Sequence, residues 1–425
     1  MPEPAVKSYF RTPHKRQTDV DISSVSFWSR GFEERDQAFA RLRSEAPVSW
    51  HPPLETPGLP KRSREAGFWA VTKAADIVFI SRQHDLFSSE IGKVDVRPRP
   101  FRTIPNMLVL DPPLHTAYRR LVSAAFTARA IATLTTTINR RARQIVLRAG
   151  QQREFDFVSA ISAQLPLRTI ADLIGVPSSE QDRFVDAADS YVRTRVPAQL
   201  PSGTSPEAFI AEQGRYLAEL CAALAAMRRR LPADDLMSCL VQAHIDGAPL
   251  GDDEILSTVL LLIVAGDDTT KQATTLSYLA LRAFPKEREW LEEDFDGRFD
   301  QAFDELVRYA SPVISFARTA TRATELGGHL IAEGDKVALF YCSGNRDESI
   351  FPEPGLLRLS RPHNQHVAFG GGGVHFCLGS TLARVQIKAI LSHTLNRLPD
   401  LVLGEPAFGF GETVHSVKSL PASLP

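Results

Sequence analysis

The apolar positions of this chain recur mostly with the spacing of amphipathic helices, and only short stretches alternate between apolar and polar residues. This pattern predicts a mainly α-helical fold with small β-sheets, in a single domain over residues 1–425 that begins with an irregular extension over residues 1–30. The predicted strands are 48–51 and 67–72, paired as a hairpin, then 315–321 and 336–341, and the predicted helices are 32–46, 111–127, 129–149, 156–174, 178–193, 207–230 and 294–310.

The longest helical pattern runs from Asp252 to Leu281, which at 1.5 Å per residue is roughly 45 Å. Its apolar run, residues 255–266, is well short of the ~20 residues that span a bilayer, so we expect a buried core helix and no membrane span. Asp267 and Asp268 follow that run directly. Acidic side chains inside a buried helix are costly unless they have partners or a task, and the alternative is that the helix surfaces at residue 267.

Composition and charge narrow the class of protein. The formal net charge of −1 argues against general affinity for nucleic acid, which usually requires a strongly basic domain. The four cysteines show no paired spacing, which disfavours a disulfide framework and fits a reducing compartment. The first residues lack the apolar core of a signal peptide, so we expect a cytoplasmic protein.

A glycine-rich segment, FGGGGVHFCLG, holds a single cysteine, Cys377, at the predicted start of the last helix, 377–398. A lone cysteine is most often a small buried apolar side chain. Four glycines in a row, however, allow backbone of positive φ and the close approach of a bulky flat group. A thiolate at a helix N-terminus has a lowered pKa and is able to bind a metal, so the segment also fits a metal site.

Several other motifs fail on spacing. No Lys-Ser/Thr pair follows the glycines as a phosphate loop requires, and a G-x-G-x-x-G pattern ends on His375 or Phe376 rather than on glycine. A zinc site requires further Cys or His at ligand spacing, and the C-x-x-C-H haem attachment is absent. Two interpretations of the cysteine remain: a buried thiol, and a cysteinate that is the axial ligand of haem iron.

The glycine-rich segment resembles the haem-binding signature of the cytochrome P450 family, in a form similar to that of actinobacterial enzymes that oxidise steroids and methyl-branched lipids. The resemblance implies the P450 fold, with the long helix lying over the haem. It implies that Cys377 ligates the iron of haem b (iron protoporphyrin IX) and that Phe369 packs near the sulfur. It also implies that Gly370 belongs to the haem loop, that His375 hydrogen-bonds a propionate, and that Gly379 lets the last helix approach the ring.

Other segments of the chain resemble further family signatures in the same order. Through AGDDTT, the resemblance implies that Asp268 and Thr269 deliver protons to dioxygen, for which Ala265 and Gly266 leave room. Thr269 is also able to donate a hydrogen bond to a carbonyl one turn earlier. The implied propionate ligands are His115, Arg119 and Arg318, and the implied structural triad is Glu305, Arg308 and Arg361. Leu114 departs from the family, which usually has glutamate there.

The resemblance implies a monooxygenase that uses O2 as co-substrate and a hydrophobic small molecule such as a sterol, terpenoid, branched lipid or polyketide. No flavin or dinucleotide fingerprint is present, so we expect electrons from a separate ferredoxin and NAD(P)H-dependent reductase, docked through basic residues such as Arg120 or Arg143. Two alternatives stay open: a peroxide-driven haem-thiolate peroxygenase, and a haem-based gas or ligand sensor without turnover.

Overall fold

The computed structural model of this protein describes residues 18–55, 66–91, 94–97, 106–193 and 206–425. Helices dominate this part of the chain, as the sequence predicts. The α-helices are α1 Val25–Trp28, α2 Phe32–Glu45, α3 Ala74–Arg82, α4 Leu114–Ser123, α5 Ala128–Ala149, α6 Pro166–Ile174, α7 Gln181–Arg193, α8 Pro206–Arg230, α9 Leu236–Val241, α10 Asp252–Ala283, α11 Pro285–Glu293, α12 Phe295–Ala310, α13 Tyr341–Gly344 and α14 Ser380–Arg397.

The strands are short, and the largest sheet holds five of them in the order β1-β2-β10-β7-β3. Within it β1 and β2 are antiparallel, which confirms the predicted hairpin pairing, and β10 runs parallel to β2. The strands are β1 Val48–His51, β2 Phe68–Val71, β3 Phe87–Ser88, β4 Glu154–Asp156, β5 His244–Ile245, β6 Ala248–Pro249, β7 Ser315–Ala320, β8 Thr324–Leu326, β9 His329–Ile331, β10 Lys336–Phe340, β11 Val402–Leu403, β12 Ala407–Phe408, β13 Val417–Ser419 and β14 Pro421–Ser423.

Four predicted helices differ from the structure: those over 111–127 and 178–193 begin three residues late, at Leu114 and Gln181, and two others differ in ways that have a local cause. The helical pattern over 156–174 is divided into a π-helical turn, Val158–Ser162, and helix α6, which starts at Pro166. Proline supplies no N–H to a preceding turn, so it belongs at a helix start and not in an interior. The last helix begins at Ser380 rather than at Cys377, because the Cys377 N–H donates to the Phe369 carbonyl at 3.0 Å and so closes the preceding loop.

Helix α10 passes through the middle of the molecule and joins its two largest apolar clusters. Its N-terminal half packs with α6, α7, α8 and α9, and its C-terminal half packs with α5, α12 and α14. Asp267 is only 1% exposed at the junction of these halves. The alternative in which the helix surfaces at residue 267 is therefore wrong, and the acidic residue is inside the protein.

The described beginning of the chain packs against the large sheet. Val20, Ile22, Phe27 and Trp28 are buried, and the Trp28 indole N–H donates to the Ile22 carbonyl at 2.9 Å. Of the extension that was expected to be irregular, residues 1–17 lie outside the described residues, and Val25–Trp28 instead forms helix α1. Within the described ranges, no single helix is long and apolar enough to cross a bilayer; Leu114–Phe126 and Ala128–Ala149 meet that test only together, as a pair bent by 48°.

Candidate active site

The glycine-rich loop is shaped by its glycines and packs on helix α3. Gly370 and Gly373 have φ of +95° and +72°, a region that side chains rarely adopt. A Cβ on Gly373 would stand 2.2 Å from the Ser81 carbonyl oxygen, and one on Gly371 would stand 2.6 Å from the Ser81 hydroxyl. The positive φ values agree with the sequence prediction. At Gly371 and Gly373 the missing side chains let the loop pack closely on α3.

The Cys377 side chain lines an interior space. The residue is half-buried, yet burial is the largest influence on its pKa. A thiol that is surrounded by protein while it keeps exposed surface faces an internal gap. Gly379 lies beside it: among the described residues, a Cβ there would meet only the Cys377 sulfur, at 4.0 Å. The glycine therefore leaves the space next to the sulfur free of a side chain.

The predicted lowering of the Cys377 pKa is wrong for this protein without a bound metal. Burial raises the pKa of the thiol, and hydrogen bonds from the Gly379 and Ser380 N–H groups together with the Arg119 charge lower it by less. The start of helix α14 therefore acts in the predicted direction, but desolvation of the anion outweighs it. A metal cation at the sulfur would supply the missing counter-charge.

Phe369 is held by other aromatic rings. It stacks on Phe303 of α12 with ring centroids 6.0 Å apart and an interplanar angle of 17°, and it meets the edge of Phe376. Phe369 is thus fixed at the base of the loop, with its carbonyl bonded to the Cys377 N–H.

Cationic and imidazole side chains from three parts of the chain meet next to the loop. The rings of His115 (α4) and His375 lie 4.3 Å apart, and Arg119 donates to the Phe376 carbonyl at 2.7 Å. Burial, together with the nearby Arg318, His115 and Arg119, lowers the pKa of His375 to about 2. Burial and Arg119 likewise lower the pKa of His115 to about 4. The arginines and the second imidazole thus disfavour protonation of each histidine.

This cluster fits the two carboxylates of haem. His115 is 1% exposed, and both of its ring nitrogens are buried without a hydrogen-bond partner among the described residues. Buried polar atoms without partners are costly, and they mark a site where a group is bound. An anion placed among His115, Arg119, Arg318 and His375 would satisfy these nitrogens and form charge-assisted hydrogen bonds. The donor set therefore suits propionates.

One face of the otherwise buried helix α10 keeps exposed surface. Ala265 is exposed and Asp268 and Thr269 are half-buried, whereas residues 270–275 are all buried. The Thr269 hydroxyl donates to the Ala265 carbonyl at 2.7 Å, as the sequence predicts. The Asp268 carboxylate pairs with the Lys271 ammonium at 3.0 Å. The Asp268 carboxylate and the Thr269 hydroxyl therefore lie on the same partly exposed face of α10.

Gly266 lies on a different side of the helix from Ala265. A Cβ on Gly266 would meet Ile170 of α6, with Cδ1 at 2.9 Å and Cγ1 at 3.1 Å. The absent side chain thus lets α6 pack closely on α10. The expectation that both residues leave room for dioxygen is supported by exposure only at Ala265.

The predicted structural triad is assembled and buried. Arg308 donates twice to the Glu305 carboxylate at 2.7 Å, and the Arg361 guanidinium donates to it at 3.1 Å. Asn364 and the backbone N–H of Arg358 also donate to Glu305. The network ties α12 to the segment that leads into the haem loop.

Two polar residues next to the site were missed by the sequence reasoning. Ser89 places its hydroxyl 3.1 Å from His375 Nε2, a contact across 286 positions that no local pattern predicts. Lys271 pairs with Asp268 three positions earlier, and helical spacing alone would have found it.

Comparisons with known proteins agree with this geometry. A family model described as Cytochrome P450 matches residues 299–399. A methyl-branched lipid omega-hydroxylase of Mycobacterium tuberculosis is 39% identical over 411 residues, which are 95% of this chain and 94% of the relative. A steroid C26-monooxygenase of Rhodococcus jostii is 38% identical over 381 residues, covering 87% and 78% of the two chains.

A solved structure matches almost the whole fold. The cytochrome P450 of Mycobacterium marinum in complex with pseudoionone superposes with a TM-score of 0.90 and 43% identity, covering 98% of this chain and 100% of that one. Full-length identity of this extent, together with an interior cysteine beside an anion-binding cluster, shows that the chain belongs to the cytochrome P450 family of haem- and O2-dependent monooxygenases.

Proposed function

We propose that this protein holds haem b through Cys377 and inserts one atom of O2 into a C–H bond of a branched lipid or steroid. The observation that carries the proposal is the position of Cys377: an interior-facing thiol beside a cluster that lacks only its anion. A pair of electrons from NAD(P)H and a pair of protons convert the second oxygen atom to water.

The bound haem-thiolate would supply the redox chemistry, since a cysteinate ligand favours O–O cleavage. The chain's own residues have three tasks. Cys377 anchors the cofactor, and His115, Arg119, Arg318 and His375 bind its carboxylates and fix its orientation.

Proton supply falls to Asp268 and Thr269. Asp268 keeps a carboxylate at the exposed face of α10, and the Thr269 hydroxyl lies one residue further along the same face. The carboxylate takes up a proton, and the hydroxyl passes one on at Oγ1 while it receives another, so the threonine is unchanged at the end. Ala265 leaves its part of the face free of side-chain bulk.

Apolar side chains on α10 and next to β7 support a hydrophobic substrate. Along α10, Leu256, Leu260 and Val264 are half-buried at spacings of four, and they continue the face of Asp268. Val313 and Phe316 are half-buried where β7 meets the carboxyl-terminal segment, which joins it through a bridge between Val313 and Val414. A surface of this kind favours hydrocarbon over polar substrates.

The named relatives act on a methyl-branched lipid and on a steroid, and the M. marinum structure contains pseudoionone. These names support a branched lipid or steroid for this chain too. Residues 98–105 and 194–205 lie outside the described residues.

Electrons would come from a separate ferredoxin and an NAD(P)H-dependent reductase in the cytoplasm. Arg120 and Arg143 are exposed, which leaves both free to contact an acidic carrier. This partner assignment rests on the family and on those two exposed charges.

The first test is spectroscopic. Purified protein, reduced and treated with carbon monoxide, should show the red-shifted Soret band of thiolate-ligated haem, and Cys377→Ser should abolish it. Cys239→Ser is the matched control, because Cys239 is a free and exposed cysteine. A band that persists in Cys377→Ser would refute the ligand assignment.

The same preparation separates the alternatives. With a surrogate ferredoxin and reductase, NAD(P)H and O2 consumption should yield oxidised product from a panel of branched lipids and steroids. Product formed with hydrogen peroxide but not with O2 would favour a peroxygenase. Haem binding without any product would favour a sensor.

A further inference from the structure

Ser89 contacts an imidazole of the haem loop from just beyond the end of strand β3. The serine is fully buried, and its hydroxyl lies 3.1 Å from Nε2 of His375. Among the described residues, this is the one hydrogen bond that the Ser89 hydroxyl makes. The contact occupies Nε2 of the ring, so Nδ1 is the nitrogen of His375 that is available to an anion.

A short turn fixes the position of that hydroxyl. The Asp111 carboxylate, just before α4, accepts hydrogen bonds from the Ser88 hydroxyl and from the Ser89 backbone N–H, the latter at 2.9 Å. The Ser88 hydroxyl oxygen in turn accepts from the N–H groups of Glu90 and Ile91, at 3.0 and 3.1 Å. The backbone N–H of Ser89 is thus committed to Asp111, and its hydroxyl is the donor that remains for the imidazole.

The hydroxyl matters because the His375 imidazole is neutral. Burial, with the nearby Arg318 and His115, keeps its pKa low, and a neutral imidazole has one N–H and one bare nitrogen. Nδ1 donates to an anion only if it carries the ring proton, which leaves Nε2 bare. A bare nitrogen in a buried site is costly without a donor, and the Ser89 hydroxyl is within reach of it. With the proton on Nε2 instead, the lone pair of Nδ1 would face the anion and repel it.

We propose that Ser89 is a positioning residue of the cofactor site: its hydroxyl donates to Nε2 of His375 and thereby keeps the ring proton on Nδ1, where it binds a haem carboxylate. Asp111 contributes indirectly, because it holds the turn that carries Ser89. This inference rests on the proposed function, in which His375 binds a propionate. The serine should therefore matter most when the bound group carries an anionic carboxylate.

The first test measures transfer of haem, and of haem dimethyl ester, from Ser89→Ala to a haem-scavenging protein. Ser89→Ala should lose haem roughly tenfold faster than the parent, because a buried acceptor loses its donor. The ester has no anionic carboxylate, and charge-assisted hydrogen bonds are roughly twice as strong as neutral ones, so its transfer should be faster by only about threefold or less. Ser89→Thr, which keeps the hydroxyl, should restore the retention of haem.

Ser49→Ala is the matched control. Ser49 and His51 of β1 form a second buried serine–imidazole pair, with 2.9 Å from Oγ to Nε2, at the opposite edge of the same sheet. Its haem transfer should match the parent. In a His375→Phe background, Ser89→Ala should have no further effect. If Ser89→Ala does not accumulate, Asp111→Ala removes the acceptors that hold the turn, and it should show the same loss of haem and the same smaller effect on the ester.

A spectroscopic measurement without turnover detects the tautomer directly. Nitrogen NMR of isotopically labelled histidine, in the reduced carbon monoxide form, should show His375 protonated at Nδ1 and bare at Nε2; loss of the signals in His375→Phe assigns them. Protonation at Nε2, haem transfer from Ser89→Ala at the parent's rate, or equal acceleration for haem and its ester would each overturn the inference. Absence of the thiolate band in the parent would instead refute the proposed function.

Discussion

The buried Glu305–Arg308 ion pair explains why the haem loop has a defined position. Glu305 and Arg308 are both fully buried, and Glu305 accepts hydrogen bonds from Arg308, Arg361 and Asn364. A buried ion pair is costly to form, and its loss is worse when one partner stays behind without a counter-charge. The pair therefore favours one arrangement of the segment before the loop.

The residue-scale prediction concerns this pair. Arg308→Met should lower the free energy of unfolding by about 3–5 kcal/mol, because it leaves the Glu305 anion buried without its main partner. Chemical denaturation of the haem-loaded protein measures the loss. Arg384→Met, which breaks the partly exposed pair with Asp304, is the control and should cost below about 1 kcal/mol. Equal losses in the two variants would contradict the argument.

At the scale of elements, the packing of α6 on α10 depends on the missing side chain of Gly266. The two helices meet where Ile170 occupies the space that a Cβ at position 266 would need. Glycine in a helix interior is unfavourable by about 1 kcal/mol relative to alanine, so its presence here indicates a packing constraint. The side of α10 that carries Gly266 is thus buried against α6, while the side that carries Ala265 stays exposed.

A double-mutant cycle tests that packing. In an Ile170→Val background, which removes Cδ1, Gly266→Ala should stabilise the protein by about 1 kcal/mol through its helix propensity. In the parent background, crowding by Ile170 should cancel that gain, since overpacking costs typically 1–3 kcal/mol. Urea denaturation of the four proteins gives the coupling energy. Additive effects would show that Ile170 does not constrain Gly266.

At the scale of the whole molecule, the cofactor site exists only because distant segments meet. His115 comes from α4, Arg318 from β7, and His375 and Cys377 from the loop before α14. The two imidazoles are held neutral, so the positive charges of Arg119 and Arg318 have no ion-pair partner among the described residues until an anion is bound. The site therefore lowers the stability of the haem-free protein, while the same charges favour retention of the cofactor.

Substitution of Arg318 tests both effects, on the stability of the haem-free protein and on haem retention. Arg318→Met should make the haem-free protein more stable, because it removes a buried positive charge that has no ion-pair partner among the described residues. The same change should weaken haem retention roughly tenfold or more, since hydrogen bonds to charged groups contribute about 1.5–3 kcal/mol. Thermal unfolding of the haem-free protein and haem transfer to an acceptor protein measure the two effects. Arg322→Met, an exposed arginine just beyond β7, should change neither.

Local pattern by itself determined the helical class, most helix boundaries and the identity of the cysteine loop. The helix predicted over 129–149 begins one residue early in the structure, and α10 ends only two residues beyond its prediction, because amphipathic periodicity and end signals lie within each segment. The candidates Cys377, Asp268 and Glu305 could likewise be named from short motifs.

Only the tertiary structure decided how those residues are surrounded. It shows that Pro166 divides the 156–174 helix, that burial outweighs the helix terminus in the pKa of Cys377, and that Asp267 is inside the protein. It also brings His115 against His375 and shows the Ile170 side chain where a Gly266 Cβ would be. Desolvation, like-charge repulsion and steric exclusion arise between segments far apart in the chain, so no local pattern carries them.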